Sequence, residues 1–327
     1  MVCVDVSTVA GDGEKDGVPL RKTGRGKGMD IIRMSGGIGN QMFQYALYLK
    51  LVSLGKDVKF DDVTEYELDN ARPIMLSVFG IEYPKATREE LVEMTDASMD
   101  FLSRVRRKLL GRKSGEYHEA SIDYDEKVLE AEDAYLCGCF QSERYFKDIE
   151  CEVREAYRFR NVEISGDIRE QIEEYGRQIR ESESVSIHIR RGDYLDAADV
   201  YGGICTDAYY NKAIRYMMEK YENPHFFVFT NDSFWAEKWC EVRERELGKP
   251  FVTIKGTSEE TGYIDLMLMS QCKAHIIANS SFSWWGAWLD DSPQKCVVAP
   301  VKWLNTCECQ DIYTPDMVRI SASGKID

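Results

Sequence analysis

Short apolar runs alternate with longer amphipathic segments throughout the second half of the chain. The runs are rich in Val, Ile and Phe, as buried strands are, and the longer segments space their apolar residues as helices do. The predicted strands are Val185–Arg190, Phe226–Thr230, Phe251–Ile254, Ala274–Ala278 and Cys296–Ala299. The predicted helices are Asp207–Lys220, Ser233–Glu246, Tyr263–Cys272 and Phe282–Asp290. This alternation predicts a parallel sheet with helices on both faces.

The first half opens in the same way and then loses its regularity. A strand, a glycine loop, a helix and a strand are predicted at Asp30–Met34, Ser35–Gly39, Asn40–Leu54 and Asp57–Phe60. From Thr64 to Arg160 the clearest features are two helical patches, Arg88–Met94 and Phe101–Leu110. Glu170–Arg180 is helical but highly charged, so we expect it to connect two lobes rather than to lie in a core.

We therefore predict an α/β protein of two Rossmann-like lobes that face each other across a cleft. The predicted domains are a disordered tail at residues 1–28, an N-terminal lobe at residues 29–165 and a C-terminal lobe at residues 166–327. The tail has no apolar stretch of the kind that signal peptides carry, and Met29 is an alternative first residue of the protein. Ligands of such folds bind beyond the carboxyl ends of the strands, so we expect the site in the cleft.

The composition of the chain argues against nucleic acids and membrane spans and leaves few classes of binding partner. The formal net charge of -15 leaves no basic surplus to neutralise the phosphates of a nucleic acid. One basic cluster, from Arg104 to Lys113, is an exception: it is either a contact with a membrane surface or the solvated face of a helix. No apolar run reaches the length of a membrane span. The scattered cysteines are typical of reduced thiols, so we expect a cytoplasmic protein that contacts a membrane at most peripherally.

The clearest functional signal is the strand end His188-Ile189-Arg190-Arg191-Gly192-Asp193. Alternation along the strand puts His188 and Arg190 on one side and Arg191 on the other. A strand buried on both faces does not accommodate His and Arg in its middle, but its carboxyl end faces the cleft. Arg190 is therefore predicted to bind a phosphate through its planar guanidinium, and Arg191 to pair with a carboxylate behind the sheet. The alternative is a purely structural cluster of ion pairs.

A small polar loop, Ala278–Ser281, separates a predicted strand from a predicted helix. The first turn of that helix offers unpaired N–H groups beside the serine hydroxyls, which together make a ready site for an anion. Capping of the helix by Ser280 or Ser281 is an alternative that is compatible with anion binding.

Three further features bear on the ligand. The loop Gly37-Ile38-Gly39 has Met42 where a dinucleotide-binding loop needs its third glycine, which argues against an oxidoreductase. Asp232 and Asp265 are candidate acceptors for the N1–H and N2–H groups of a guanine, although Asp232 also suits a helix N-cap. No Asp-x-Asp follows a strand to hold Mg²⁺, and two Cys-x-Cys pairs lack the spacing of zinc ligands, so we predict a metal-free site.

Three stretches resemble, in order, the signature motifs of glycosyltransferase family 11, the α-1,2-fucosyltransferases. They are Gly36–Tyr45, His188–Tyr194 and Asn279–Trp288. The resemblance implies a GT-B fold, GDP-fucose as the donor, and a galactose-containing oligosaccharide or a lipid-linked glycan as the acceptor. It implies no metal or other cofactor. With no membrane anchor evident in the sequence, it points to a bacterial enzyme that builds cell-surface glycan.

The same resemblance assigns roles to individual residues. Arg190 would grip the β-phosphate of the donor, and His188 with Asp265 would bind the guanine. Ser280 and Ser281 would contact the diphosphate. The other donor-site candidates are Gly39, Asn40, Asp232 and Asn279.

The donor is a β-linked sugar and the family's product is α-linked, so the displacement would invert the sugar. Arg190 would stabilise the departing GDP, and a carboxylate would take the proton of the acceptor hydroxyl. Asp193 is the first candidate for this base; the alternative is that it holds Arg191 in place.

Two other functions stay open, namely an α-1,6-type or other GDP-sugar transferase and a non-catalytic nucleotide-sugar binding protein. Acceptor contacts are expected from Thr64–Arg160.

Overall fold

The computed structural model describes residues 28–67, 72–110, 115–192, 194 and 197–327, which form two compact units. The first unit contains the chain up to Leu76 and Ile81–Ala156, and the second contains Ser77–Gly80 and Tyr157–Asp327. The division thus falls between Ala156 and Tyr157, ahead of the predicted boundary after residue 165. Of the predicted tail, only Gly28 lies within the described residues.

The first unit is built on a sheet of four parallel strands in the order β2-β1-β4-β3. The strands are β1 (Met29–Arg33), β2 (Asp57–Asp61), β3 (Glu116–His118) and β4 (Tyr135–Cys137). The helices are α1 (Ile38–Ser53), α2 (Arg88–Met94), α3 (Phe101–Leu110), α4 (Lys127–Glu130) and α5 (Glu150–Ala156). Both predicted helical patches are therefore present, whereas the short strand β3 was not predicted.

The second unit is built on a sheet of six parallel strands in the order β10-β9-β8-β5-β6-β7. The strands are β5 (Glu183–Ile189), β6 (Pro224–Thr230), β7 (Phe251–Thr253), β8 (Ala274–Ile276), β9 (Cys296–Pro300) and β10 (Met317–Ile320). The helices are α6 (Gly166–Glu181), α7 (Ala198–Tyr201), α8 (Asp207–Lys220), α9 (Ser233–Leu247), α10 (Gly262–Ser270) and α11 (Ser281–Leu289).

Helices cover both faces of the second sheet. On one face, Ile187 and Ile189 pack with Tyr209 and Trp239 of α8 and α9. On the other face, Phe227 and Phe229 pack with apolar residues of α6 and α10. The predicted α/β class, with the two Rossmann-like units of a GT-B protein, is confirmed; that the units face each other across a cleft stays a prediction. None of the helices in the described part of the chain has the length and apolar character needed to cross a membrane.

Helix α6 is a correction to the expected domain organisation. Its charges suggested a connector between lobes, but Ile172, Tyr175 and Ile179 are buried and pack in the same core as Phe229. Residues three, four and seven positions apart lie on one face of a helix, so three apolar side chains bury it even though the other positions are charged. The prediction of a connector is wrong, and α6 is a layer of the second unit.

A buried polar network ties β5 to β8 and to the end of α11. His275 is fully buried, with Nδ1 2.8 Å from Oγ of Ser186 and Nε2 3.1 Å from Oδ2 of Asp290. A carboxylate can only accept, so Nε2 carries the proton and Nδ1 accepts from the serine hydroxyl. Burial lowers the pKa of His275, which keeps the ring neutral. Burial alone would raise the pKa of Asp290, but hydrogen bonds from His275 and Ser292 outweigh it and leave that pKa lowered.

Removing the Asp290 carboxylate should destabilise the second unit. In Asp290→Ala the buried N–H of His275 loses its acceptor, so the free energy of unfolding should fall by about 2 kcal/mol near neutral pH. Because the folded pKa of Asp290 is lowered, its contribution is present above the unfolded pKa and is lost as pH falls through the folded pKa. Urea denaturation should therefore show the difference shrinking in acid.

The matched control is Asp291→Ala, which removes the exposed carboxylate next in the chain. It should leave the free energy of unfolding within about 0.5 kcal/mol of the unaltered protein. Equal losses in the two variants, or none in Asp290→Ala, would contradict the role of the network.

Candidate functional site

The second sheet reverses its direction of growth between β5 and β8. From β5 the chain adds β6 and β7 on one side, and it then returns to add β8, β9 and β10 on the other. The two strands are parallel neighbours, with Val185 opposite Ala274 and Ile187 opposite Ile276. At such a switch point the loops that follow the two strands diverge and leave a crevice in which doubly wound folds bind ligands. Two of the predicted motifs follow these two strands.

His188 and Arg190 lie where β5 ends. His188 is 4% exposed, and its carbonyl oxygen accepts a hydrogen bond of 2.9 Å from the hydroxyl of Tyr210. The imidazole lies 5.5 Å from the ring of Phe282, which belongs to the core formed with α6 and α10. Arg190 is the first residue after the strand and is partly buried. A buried histidine at the end of the strand thus precedes an arginine that lies just beyond it, one residue past the strand end observed here; that the two side chains share one side stays a prediction.

Tyr194 joins the loop after β5 to the loop after β8. Its hydroxyl donates a hydrogen bond of 2.8 Å to the carbonyl oxygen of Asn279, and its ring stacks on Tyr201 at 4.1 Å. The guanidinium of Arg190 lies 5.8 Å from the centre of the Tyr194 ring. Sequence reasoning did not single out Tyr194, although it closes the stretch His188–Tyr194. A tyrosine directly after the Gly192-Asp193 pair was the available signal.

The side chain of Arg191 is held by residues of the second unit. Its Nε lies 3.2 Å from Oδ2 of Asp232, and its guanidinium lies 4.2 Å above the ring of Trp235. Its backbone N–H donates to Oδ1 of Asn231 at 2.9 Å. Gly192 follows with φ +44°, and a Cβ there would meet Asn231 Nδ2 at 2.7 Å, so the turn requires glycine. A carboxylate partner was predicted for Arg191 without being named, and the structure provides Asp232, at the start of α9.

The carboxylate of Asp232 is used twice within the second unit. Oδ1 accepts the N–H of Trp235 at 3.1 Å, which makes Asp232 the N-cap of α9, and Oδ2 pairs with Arg191. The capping role weighed for Asp232 is therefore present.

The serine loop lies between β8 and α11. Ser280 occupies the N-cap position of α11 with extended backbone angles, but its side chain makes no capping hydrogen bond. The first turn of α11 holds no acidic residue. Asn279 is 3% exposed; its Nδ2 donates to the carbonyl oxygen of Trp303 at 3.0 Å, and its Oδ1 accepts from the Cys205 thiol at 3.5 Å. Asn279 therefore holds the loop in place, while the Ser280 hydroxyl is not spent on capping.

Helix α11 is rigid below this loop. Trp284, Trp285 and Trp288 are buried against one another, and the indole N–H of Trp284 donates to the carbonyl oxygen of Ile312 at 2.7 Å. Gly286 lets the helix pack closely on α10, since a Cβ there would meet Met269 Sδ at 2.4 Å. The serine loop therefore begins a helix whose position is set by the core.

Asp265 lies in the first turn of α10 and has an unusual environment for a carboxylate. Burial raises its pKa to about 7, against which a hydrogen bond with Thr257 acts, and its Oδ1 is buried without a hydrogen-bond partner among the described residues. Phe282 connects this helix start to β5: it lies 5.5 Å from the His188 ring and 3.9 Å from where a Cβ of Gly262 would stand. An acceptor held in apolar surroundings suits a ligand that brings its own N–H donors.

The glycine loop of the first unit is braced by its own helix. Gly36 has φ +72°, and a Cβ there would meet Asn40 Nδ2 at 2.6 Å. Asn40 donates to Sγ of Cys139 at 3.4 Å and accepts from Gln141 Nε2 at 2.9 Å. Gly39 is buried in the first turn of α1. Both ends of the Asn40 amide are thus engaged within the first unit.

Two glutamines of α1 fix the same loop. Gln44 is fully buried; its Oε1 accepts the N–H of Ser35 at 3.0 Å, and its Nε2 donates to the carbonyl oxygen of Gly138 at 2.9 Å. Gln41 donates to the carbonyl oxygen of Gly36 at 2.9 Å and accepts the N–H of Met75 at 2.9 Å. These side chains explain the glutamines of the first signature stretch as internal supports.

The second unit contains five of the predicted donor-site residues at the end of β5, at the start of α11 and in the first turn of α10. They are His188, Arg190, Asp265, Ser280 and Ser281. Asn279 and Asp232 support the loops beside them, and Gly39 and Asn40 belong to the other unit. Asp193, the predicted base, lies outside the described residues.

Comparison with known proteins gives a consistent assignment. The family model for glycosyl transferase family 11 matches residues 113–321. An alpha-1,2-colitosyltransferase of Escherichia coli is 32% identical over 285 residues, which cover 84% of this chain and 91% of that protein. Galactoside alpha-(1,2)-fucosyltransferase 1 of Homo sapiens is 31% identical over 108 residues, which cover 32% of this chain and 28% of that protein.

Solved structures show more distant likenesses. A crystal structure of POFUT1 in complex with GDP is 11% identical, covers 84% of this chain and 98% of that chain, and has a TM-score of 0.47. Because a family model spans most of the second unit and a relative aligns along nearly the whole chain, the family is established: this chain is a glycosyltransferase and belongs to glycosyltransferase family 11.

Proposed function

We propose that this glycosyltransferase moves L-fucose from GDP-β-L-fucose to the 2-hydroxyl of a galactose-terminated glycan, with inversion at the sugar. The observation that carries the proposal is the switch point between β5 and β8, where Arg190 and the serine loop follow neighbouring parallel strands. An arginine and a helix N-terminus beside one crevice suit a diphosphate. The family and the α-1,2 linkage named for two relatives support the reaction class.

The diphosphate would be held by Arg190 and the start of α11. A guanidinium makes charge-assisted hydrogen bonds to phosphate oxygens, each worth about 1.5–3 kcal/mol. Ser280 and Ser281 stand at a helix start without acidic residues, where N–H groups and hydroxyls favour an anion. These groups would stabilise the leaving GDP as its charge develops, so we propose that no metal or other cofactor is required.

The guanine would be bound by His188 and Asp265. The buried Oδ1 of Asp265 can accept N1–H or N2–H of guanine, and Phe282 brings this helix start into the neighbourhood of His188. We prefer Asp265 to Asp232 for this role because both oxygens of Asp232 already have protein partners. We likewise assign Asn279 to holding the serine loop and Asn40 to bracing the glycine loop, with contact to the donor left to their neighbours Ser280 and Gly39.

The chemical step would be a single displacement. The 2-hydroxyl oxygen of the acceptor forms a bond to C1 of the sugar as the bond from C1 to the GDP oxygen breaks, and the electrons of that bond leave with GDP. The proton of the hydroxyl passes to a carboxylate, for which Asp193 is the candidate; general-base help of this kind is worth about 10²–10⁴ in rate. The acceptor would be bound by residues between Thr64 and Arg160.

Colitosyl transfer is the second candidate. The relative that aligns along most of the chain is named for colitose, which is fucose without its 3-hydroxyl. A pocket that donates or accepts a hydrogen bond at that hydroxyl rejects the deoxy sugar strongly, whereas an apolar pocket discriminates weakly. The donor test therefore needs both sugars.

Replacing Arg190 by lysine should cripple turnover although the charge is kept. A point charge cannot reproduce the planar fork, so kcat/KM should fall at least about a hundredfold, the range seen when one donor to a developing anion is removed. Steady-state kinetics and calorimetric binding of GDP measure the two losses separately.

Arg191→Lys is the matched control, because Arg191 pairs with Asp232 and stacks on Trp235. It should lower the free energy of unfolding while GDP affinity stays within about threefold of the unaltered enzyme. Equal kinetic losses in the two variants would contradict the division of roles between the arginines.

GDP affinity should depend on the ionisation of Asp265. Guanine N–H groups require the carboxylate, and its pKa in the free protein is raised to about 7, so affinity should rise with pH through this value and then level off. Below it the association constant should fall about tenfold per pH unit. Calorimetry of GDP binding, with Asp265→Asn as the comparison, measures the slope; the variant should bind more weakly and lose this pH dependence.

Unfolding provides a second readout of the same group. The pKa of Asp265 is higher in the folded protein than in the unfolded chain, so folding favours its protonated form. This contribution to the free energy of unfolding is fully present below the unfolded pKa of about 4, and it is lost as pH rises to the folded pKa of about 7. Asp265→Asn should abolish that decline. A wild-type affinity that is flat with pH would remove Asp265 from the guanine site.

The function itself is tested by products. The protein, freed of divalent cations by EDTA, is incubated with GDP-fucose or GDP-colitose and a panel of galactose-terminated oligosaccharides, and linkages are determined by mass spectrometry. We expect α-1,2-linked fucose with a rate that EDTA leaves unchanged within about twofold, since arginine and helix dipole neutralise the diphosphate.

Other products would each overturn a part of the proposal. Transfer of colitose alone would support the second candidate. An α-1,6 linkage would indicate an α-1,6-type transferase. Tight binding of GDP-fucose without transfer would indicate a non-catalytic binding protein. Loss of activity with EDTA that Mg²⁺ restores would contradict the metal-free site.

The Asp193→Asn variant should bind GDP normally and lose turnover. Near-normal turnover in this variant would exclude Asp193 as the base.

A further inference from the structure

Helix α3 of the first unit exposes an unusual amount of apolar surface. Of the twelve large hydrophobic residues that are exposed within the described part of the chain, six lie between Met99 and Leu110. Phe101, Leu102 and Leu109 are each 76% exposed. None of the residues of α3 is buried. Single exposed apolar residues are ordinary, but a contiguous patch marks an interaction surface.

Four of the five exposed apolar residues of α3 lie on one side of the helix, and Leu110, its last residue, lies apart from them. Phe101, Val105 and Leu109 follow one another four positions apart, so they form a row along the helix, and Leu102 lies beside it. Arg104 and Lys108 form the adjacent row and are also exposed. An apolar row flanked by basic side chains has the amphipathic pattern of a helix that lies in the plane of a membrane surface.

Arg106 and Arg107 of α3 are tied to the turn that precedes the helix. Arg106 forms an ion pair with Asp96, a buried residue in the preceding turn. Arg107 donates to the carbonyl oxygen of Asp96 at 2.8 Å, and Asp100 accepts the N–H of Ser103 at 2.9 Å at the start of the helix. The two arginines are therefore used as internal anchors, and Arg104 and Lys108 are left for an external partner.

Charge identifies that partner. The chain carries a formal net charge of -15, yet α3 contains four basic residues and no acidic one. An anionic surface is attracted by this helix and repelled by most of the rest of the protein. The apolar side chains of α3 also need an apolar environment in which they can be buried. A purely polyanionic partner such as a nucleic acid does not offer one.

We propose that α3 docks the enzyme on the surface of a bilayer that contains anionic lipid. Phe101, Val105 and Leu109 enter the boundary between headgroups and acyl chains, and Arg104 and Lys108 contact lipid phosphates. This surface is separate from the residues proposed for the donor, and its function holds whichever sugar is transferred. Of the two interpretations of the basic cluster given by the sequence, the proposal adopts the surface contact.

The test is co-flotation of the full chain with vesicles of equimolar phosphatidylcholine and phosphatidylglycerol. Phe101→Ser combined with Leu109→Ser should lower the partition coefficient at least about tenfold. Arg104→Gln and Lys108→Gln should each lower it about fivefold, and raising the salt concentration should weaken binding of the unaltered protein. Vesicles of phosphatidylcholine alone should bind far less.

Matched controls come from the second unit. Phe234→Ser removes another exposed aromatic residue and Arg215→Gln another exposed charge, and both should bind vesicles as the unaltered protein does. Circular dichroism and GDP binding establish that the α3 variants are folded, since none of their residues belongs to the donor site.

Two results would overturn the proposal. One is vesicle binding that is independent of anionic lipid or unchanged in the α3 variants. The other is the absence of vesicle binding together with self-association, measured by analytical ultracentrifugation, that the Phe101→Ser and Leu109→Ser changes abolish; α3 would then be an interface between copies of the chain.

Discussion

The pairing of β5 with β8 is the constraint on which the proposed donor site depends. These strands lie side by side although about ninety residues separate them in the chain, and their register sets where both polar loops emerge. His275 bonds to Ser186 across this pair and to Asp290 beyond α11, so a buried network holds both strands and the helix after them. A shift of register by one residue would turn His188 and Arg190 to the opposite face and separate them from the serine loop.

Many polar side chains around the site are already committed to the protein. Asp232 caps a helix and pairs with Arg191, Asn279 links two loops, and Gln41 and Gln44 brace the glycine loop. Such saturated groups hold the backbone but have little left to offer a ligand. The side chains that suit a nucleotide sugar are those with capacity to spare: the buried oxygen of Asp265 and the Ser280 hydroxyl. Orientation and binding are thus divided between different residues.

Features that depend on residues close together in the chain could be predicted from the sequence, and features that depend on distant residues could not. An ion pair of Arg191 with a carboxylate was predictable because strand alternation is local, and the parallel sheets followed from the alternation of strands and helices. Burial of α6 was missed because its three apolar residues find their partners on another element. The environment of Asp265 depends on packing around α10 and could not be read from its neighbours in the chain. The sequence placed the basic residues of α3 at a surface, but the exposure of its apolar residues could not be read from it, because the same pattern suits a helix packed on a core.

Tyr194 has a consequence for how the site behaves as a whole. Its hydroxyl spans 85 positions of sequence to reach the Asn279 carbonyl, and its ring lies near the Arg190 guanidinium. A phenol that contacts both loops makes their positions mutually dependent, so a displacement of Arg190 is felt at the start of the serine loop. Occupancy of either by an anion would then rigidify the other before any further contact forms, and the free enzyme would pay for ordering once instead of twice.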